Sequence, residues 1–202
     1  MNEPPTIPSL PVKLSWKNEP VEWSVEKGGR MRIVAGAKTD WFIDPAGGSS
    51  HCNAPVALFA PSETTFLLSA RVAVDFAATY DAGVLFAHAG DTNWAKLCFE
   101  YSPRHQPMIV SVVTRGVSDD CNSAVVGEAP VCLRLSRRGR AFAFHFSLDG
   151  RSWELVRHFS LGETGTPSIG FSAQSPTGER CAATFSEIEY LPGRTVDLRS
   201  GE

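Results

Sequence analysis

An all-β protein, a sandwich of two stacked antiparallel sheets, is the fold this sequence predicts, and three observations predict it. Turn-forming residues are dense: the 202 residues include 17 Gly and 14 Pro. Together with Asp, Asn and Ser they interrupt short apolar runs about every 8–12 residues, the spacing of an all-β sandwich or barrel. Several of these runs alternate strictly between apolar and polar residues, the period of a strand with two unlike faces. No stretch of about a dozen residues keeps an apolar i, i+3, i+4, i+7 pattern clear of Gly and Pro, so long helices are not expected.

In chain order the candidate strands are KLSWKN, VEWSVE, RMRIVAG, TDWFID, APVALFA, TFLLSARVAVDF, GVLFAHAG, NWAKLCFEY, MIVSVVTRG, VCLRLSRRG, AFAFHFSLDG, SWELVRHFS, PSIGFSAQS and CAATFSEIEYL. In TDWFID, Asp40, Phe42 and Asp44 alternate with Thr39, Trp41 and Ile43. In the run from Leu67, Ala70, Val72, Val74 and Phe76 share a face opposite Ser69, Arg71, Ala73 and Asp75, which is the antiparallel condition of one buried and one wet face. In NWAKLCFEY, Ala95, Leu97, Phe99 and Tyr101 form a plain core face, opposite Trp94, Lys96, Cys98 and Glu100. MIVSVVTRG separates into Val110, Val112 and Thr114 against Ile109, Ser111, Val113 and Arg115. In AFAFHFS the side chains of Phe142, Phe144 and Phe146 must face the core, with His145 pointing away. The following Asp149-Gly150 supplies left-handed turn residues for a hairpin, and Trp153 opens the return strand. About fourteen strands without crossover helices exceed what one open sheet holds before it curls or splits, so two stacked sheets are expected. Composition is uniform, and one domain is expected over residues 11–192, with a flexible tail at 1–10 and a polar tail at 193–202.

The charge balance limits the partners. A formal net charge of −3 leaves no basic excess to neutralise phosphates, so neither nucleic acid nor an acidic membrane surface is an expected partner. The N-terminus lacks a basic region followed by an apolar stretch, and no run approaches the roughly 18 apolar residues of a membrane helix. A cytoplasmic protein is expected. Five cysteines, an odd number in no zinc-site spacing, read as reduced and mostly buried thiols. Cys52 follows His51 in the loop GGSSHCN, where an imidazole can stabilise a thiolate, so this pair stays a minor candidate. The remaining histidines are scattered singly and Asp91-Thr92-Asn93 is only a hint of a calcium turn, so neither a metal nor any other cofactor is expected.

Candidate chemistry gathers between Asn93 and Asp120. An aromatic plate, a cation and a carboxylate on one strand face suit the lining of a groove better than a core. Trp94, as an exposed indole beside hydrogen-bonding charges, is expected to hold the apolar face of a sugar ring. If NWAKLCFEY and MIVSVVTRG pair as a hairpin, Lys96, Glu100, Ser111 and Arg115 can cluster on one surface. The competing interpretation is a solvated ladder of cross-strand charges that serves solubility alone. Asp40, a carboxylate within a short aromatic strand, either caps backbone amides or answers a cation such as Lys96 or Arg115. GGSSHCN is either a lid over the groove or simply a loop. His145 faces either the groove or solvent.

TDWFIDP, NWAKLCFEY, VVTRGVSDD, FSLDGRSWELVR and the closing IGFSAQSP and FSEIEY, in this order, resemble a family of small proteins of unknown function that includes the fungal "regulation of enolase" proteins. The resemblance covers about Trp16 to Leu191 and implies membership of the concanavalin A-like lectin/glucanase superfamily. What it implies about fold is a jelly-roll sandwich with one concave sheet and a ligand groove. It marks Trp94, Lys96, Glu100, Arg115 and Asp119 as motif positions without giving them roles. One departure is Asp120, which stands where the motif carries an aromatic residue.

Three functions follow as expectations. The first is binding of a carbohydrate or small polar metabolite by Trp94, Lys96, Glu100, Arg115, Asp119, Asp40 and His145. The second is a protein-interaction or regulatory role in sugar metabolism. The third is a glycoside-active enzyme with Glu100 and Asp40 as weak catalytic candidates. Against the third, the superfamily's glucanases resemble one another in carrying E-x-D-x-E or E-x-D-x-x-E on one strand, and neither spacing occurs here. A second carboxylate would have to come from Asp40, Asp119 or Asp120. With Lys96 and Arg115 nearby, Glu100 is expected to stay ionised, which suits binding better than acid catalysis.

Overall fold

The computed structural model describes residues 4–163, 165–194 and 196–202. Sixteen strands, numbered in chain order, form two large antiparallel sheets and one small hairpin. The groove sheet runs β1 (Ser15–Lys17), β6 (Val56–Phe59), β15 (Ser168–Gln174), β8 (Ala82–Gly90), β9 (Asn93–Tyr101), β10 (Pro107–Arg115) and β11 (Val117–Val125). Behind it the back sheet runs β14 (Glu154–Ser160), β13 (Ala141–Ser147), β12 (Val131–Arg138), β7 (Thr65–Asp75), β16 (Arg180–Pro192), β3 (Met31–Gly36) and β2 (Glu22–Val25). The hairpin of β4 (Trp41–Ile43) and β5 (Ser50–Cys52) is a separate two-stranded ladder that joins neither sheet. The sandwich expected from the alternating runs is the fold observed.

The period-two faces assemble the core between the sheets. Phe142, Phe144 and Phe146, the Ala70–Val72–Val74–Phe76 face of β7, and Ala95, Leu97 and Phe99 of β9 all meet there. Burying apolar area at about 25 cal/mol per Å² drives this assembly. Ile7 and Leu10, within the segment expected to be a tail, also pack into this core and are buried. At the other end, Val196 and Gly201 are buried too, although 193–202 was expected to be a polar tail.

Two turns show how local chemistry sets the frame. Between β13 and β14 only Gly150 takes a positive φ, of 74°. Asp149 acts through its side chain instead, accepting from the Arg151 and Ser152 amides at 2.8 Å and from Ser147 Oγ at 2.9 Å. Those bonds hold its carboxyl down at about 2. The return strand opens at Glu154, one residue after Trp153. In β15, a Cβ at Gly170 would sit 1.8 Å from the Ala57 carbonyl oxygen, so only glycine lets β6 pair closely with the strand that carries Gln174.

The opposite face of the groove sheet carries a second apolar cluster of Val56, Leu58, Ala82, Val84, Phe86, Trp94, Cys98, Met108, Val110 and Val112, joined from outside by Trp41 and Ala54. The β4–β5 hairpin covers part of this face, with Ile43 and Cys52 packed against it. What it leaves open is the site.

Candidate functional site

Trp94, Lys96, Cys98 and Glu100 alternate along one face of β9, and the element above each decides what it can do. Above Trp94 is the hairpin. Trp41 meets it edge-on with ring centroids 5.7 Å apart, Phe86 of β8 stacks on it at 5.6 Å, and the indole is fully buried. Trp94 is therefore not the exposed sugar plate expected from the sequence; a non-local strand turns it into core. Hydrogen bonds fix the cover in place: the Trp41 indole N–H donates to the Ala54 carbonyl at 2.9 Å, and the Ile43 amide donates to Ser118 Oγ at 2.9 Å.

Beyond the hairpin the face opens into a pocket of about 320 Å³ lined by Lys96 and Glu100 from β9, Asp40 and Phe42, Val110 and Val112 from β10, Asp120 and Asn122 from β11, Gln174 from β15, and Tyr80 and Pro103 from loops. Lys96 is only 3% exposed and is held by two acceptors, Asp40 Oδ1 at 2.9 Å and Gln174 Oε1 at 2.8 Å. Gln174 is oriented in turn by donating its amide to the Tyr80 carbonyl at 3.1 Å. Burial is the largest single influence on Lys96 and pulls its pKa down, but the Asp40 carboxylate, joined by Cys98 and Glu100, outweighs it and leaves the pKa raised, so the lysine is charged. Asp40 thus both answers Lys96 and accepts from the Trp41 amide, at 2.7 Å, with the same oxygen.

Glu100 is 8% exposed, and its side chain makes no hydrogen bond or ion pair with any described residue. Its desolvation outweighs the attraction of Lys96, and the Asp40 and Asp120 carboxylates add to it, pushing its pKa up to about 8. The expectation of an ionised Glu100 is overturned. Arg115 cannot help, because it lies out of phase: Lys96 pairs with Val112 and Glu100 with Met108, so Ser111 and Arg115 belong to the other face of β10.

The same parity separates the acidic pair of β11. Asp120 sits across from Val112 and lines the pocket, whereas Asp119 sits across from Val113, whose side chain is in the inter-sheet core. Asp119 instead bridges to Arg157 Nη2 at 2.9 Å. His145 is on the back sheet, fully buried, with neither ring nitrogen hydrogen-bonded among the described residues. Burial and the nearby Arg134 guanidinium hold its pKa down at about 4, so it is neutral and remote from the pocket. Cys52 fares no better as a nucleophile: burial and the Asp91 carboxylate raise its pKa, against the stabilised thiolate that His51 was expected to supply. Asp91 pairs with Lys17 at 2.9 Å. Among the described residues no group of three or more His, Cys, Asp or Glu side chains is placed to hold a metal ion.

Gln174, Asn122, Phe42, Val110, Val112, Tyr80 and Pro103 line the pocket although the sequence argument did not select them, and Asp120 entered it only as one of three sources of a second carboxylate. Gln174, Phe42, Val110 and Val112 carry a readable signal, since each falls on the groove phase of its alternating run, whereas Asn122 and Asp120 lie on β11, a polar strand that the alternation did not reveal. Tyr80 and Pro103 carry none, since they come from loops. Tyr80 is held at φ 70°, rare for an aromatic residue, while its amide donates to the Tyr101 carbonyl at 2.7 Å. It is 40% exposed and borders, with Asp40 and Phe42, both this pocket and an adjoining shallower one that contains His51.

A two-sheet sandwich with a polar pocket on one outer face defines the class of protein. Residues 16–192 match the family described as protein of unknown function (DUF1349), and the chain belongs to that family. Among solved structures, a functionally unknown protein from Saccharomyces cerevisiae is similar with a TM-score of 0.80 and 24% identity, covering 90% of this chain and 97% of that one. A xylan β-1,4-xylosidase from Bacillus halodurans is similar with a TM-score of 0.68 and 12% identity, but the match covers 84% of this chain and only 34% of that one. The alginate lyase from Klebsiella pneumoniae gives a TM-score of 0.55 and 14% identity over 85% of this chain and 84% of that one. These likenesses show the fold. No curated protein matches the chain.

Proposed function

We propose that the pocket binds a small polyhydroxylated ligand, a carbohydrate or similar polar metabolite. The observation that carries this is the mixture of donors and acceptors on one floor. Lys96 has three N–H donors and uses two of them, the Glu100 carboxyl has no partner, and Asp120 and Asn122 of β11 line the same pocket. Sugar hydroxyls both donate and accept, so they complement such a set where an apolar ligand would leave it unmet. Phe42, Tyr80, Val110, Val112 and Pro103 give the apolar surface that a ring's C–H face needs, and about 320 Å³ is the size of a small-ligand site. Charge argues against a polyanion such as alginate, because the one ammonium is already matched by Asp40 and the Asp120 carboxylate lines the same pocket.

A thermal-shift screen against monosaccharides, oligosaccharides and sugar-derived metabolites tests this, since a ligand that binds the native state raises its melting temperature by mass action. A hit that Asn122→Ala weakens at least about fivefold supports the pocket. A panel with no hit, or one whose hit is indifferent to Asn122→Ala and Tyr80→Ala, overturns it.

A glycoside-active enzyme is the second reading, and one observation favours it. A carboxyl near 8 facing other carboxyls in a pocket has the protonation state of a general acid. Glu100→Gln separates the two: it abolishes turnover in an enzyme and only alters affinity in a binder.

A further inference from the structure

The charges that line the pocket do not balance. Its ammonium, Lys96, is already matched by Asp40 at 2.9 Å. Asp120 and Glu100 remain without a cation among the described lining residues, and Glu100 is more than nine-tenths buried with no hydrogen-bond partner. Lys96 and Glu100 are also separated. Four residues of extended strand put their Cα atoms about 13 Å apart, and the ammonium makes its salt bridge with Asp40 and none with Glu100, although its field still reaches the Glu100 carboxyl. A neutral polyol can hydrogen-bond to the protonated Glu100 carboxyl, but it leaves the Asp120 carboxylate without a cation and gains nothing from the ionised form of Glu100, which an ammonium would stabilise in this buried position. The exposed aromatic surface of Tyr80, with Phe42 beside it, favours a cation as well.

We propose that the ligand carries a protonated amine on its polyhydroxylated frame, as an amino sugar or amino polyol does, and that Glu100 receives the amine with Asp120 supporting it. This rests on the polyol-binding reading above and names the class of polyol. The Lys96–Asp40 end and Asn122 then meet the hydroxyls, while the Glu100 end selects the charge.

The groups that face Glu100 are Lys96 and Cys98 on its own strand, Asp40 leading into β4, and Asp120 on β11. They leave the free carboxyl protonated at neutral pH, with a pKa of about 8. Pairing therefore requires Glu100 to give up its proton, to solvent when the ligand arrives as an ammonium and to the amine itself when it arrives neutral. Below pH 8 that release becomes unfavourable, and the preference for an amine falls by about tenfold per pH unit.

Isothermal titration with matched sugars tests the proposal: D-glucosamine against D-glucose, D-galactosamine against D-galactose, and D-glucuronate as the charge reversal, each at pH 8 and pH 6. In at least one pair the amine is expected to bind about tenfold or more tightly than its neutral parent at pH 8. That advantage shrinks at pH 6, and Glu100→Gln removes it, bringing each amine and its parent sugar to within about threefold of one another whatever the variant does to the parent's own Kd. Thermal melting of the variant confirms that it is folded. Equal affinities within every pair, tighter binding of glucuronate, or an amine advantage that survives in Glu100→Gln overturns the proposal. If neutral sugars bind without any amine advantage, only this inference falls; if none of the sugars binds, the polyol reading falls and takes this one with it.

Discussion

The two halves of one strand face behave oppositely. Trp94 and Glu100 share the groove phase of β9, yet the first is sealed beneath Trp41 and the second lies at the floor of an open pocket. Period two settles which face a side chain points from. It does not settle whether another element covers that face. The hairpin from Trp41 to Cys52 makes the difference: it adds an aromatic cluster at one end and leaves a carboxyl without a partner at the other. Stability is stored at the covered end, and the open end keeps unsatisfied polar groups of the kind that bind.

The strongest way to break the comparison is to truncate at the covered end. Trp94→Ala is expected to cost about 3–5 kcal/mol in denaturant unfolding, as for other fully buried aromatics, whereas Glu100→Gln should not destabilise at neutral pH. A Trp94→Ala variant that loses less than about 1 kcal/mol would mean that the indole is not core. Next is the matched pair: Asp40→Asn leaves Lys96 buried with Gln174 alone and should cost about 3 kcal/mol. Much of that loss is recovered in the Asp40→Asn/Lys96→Met double variant, and a double variant no more stable than the single one would show that the charge pair is not what was broken.

The open end has its own signature in pH, opposite in sign to that of the back sheet. From pH 4.5 to about 8 the folded chain holds a proton on Glu100 that the unfolded chain has released, so stability falls as pH rises. The slope is about 1.4 kcal/mol per pH unit, and it vanishes in Glu100→Gln. His145 works the other way: between pH 6.5 and about 4 the unfolded chain holds a proton that the folded chain excludes, so stability falls as pH falls. Between 4.5 and 6.5 the two contributions oppose each other, and Glu100→Gln should uncover the acid-side loss that the wild-type profile hides. Urea midpoints at half-unit steps of pH check both slopes. Smallest of all, Arg115→Ala and Asp119→Asn should each change stability by about 1 kcal/mol or less and leave sugar binding untouched, because Arg115 is out of phase with the pocket and Asp119 makes an exposed pair with Arg157.

The sandwich was legible because alternation is a local signal: the Phe142–Phe144–Phe146 face and the Ala95–Leu97–Phe99 face each point to the core on their own. The pairing of Asp40 with Lys96 was legible only as one of several alternatives, since the run alone left open a cap on backbone amides and a pairing with Arg115, and the structure shows the same oxygen serving Lys96 and the Trp41 amide. The fate of Trp94 was not legible, because Trp41 lies fifty-three positions earlier in the chain (94 − 41 = 53) and nothing in either run records their contact. The state of Glu100 was missed for a related reason. Its charge depends on how completely β4, β10 and β11 exclude water, and on Arg115 being one residue out of phase, a matter of register between strands. Asp119 and Asp120 show the limit most plainly, since neighbouring carboxylates of one motif part to opposite faces.

The most direct test follows the Glu100 carboxyl carbon by NMR across pH, with and without sugars present. This account predicts a titration midpoint near 8 in the free protein that moves when a sugar binds. A midpoint near the ordinary 4.5 that no sugar shifts would contradict it.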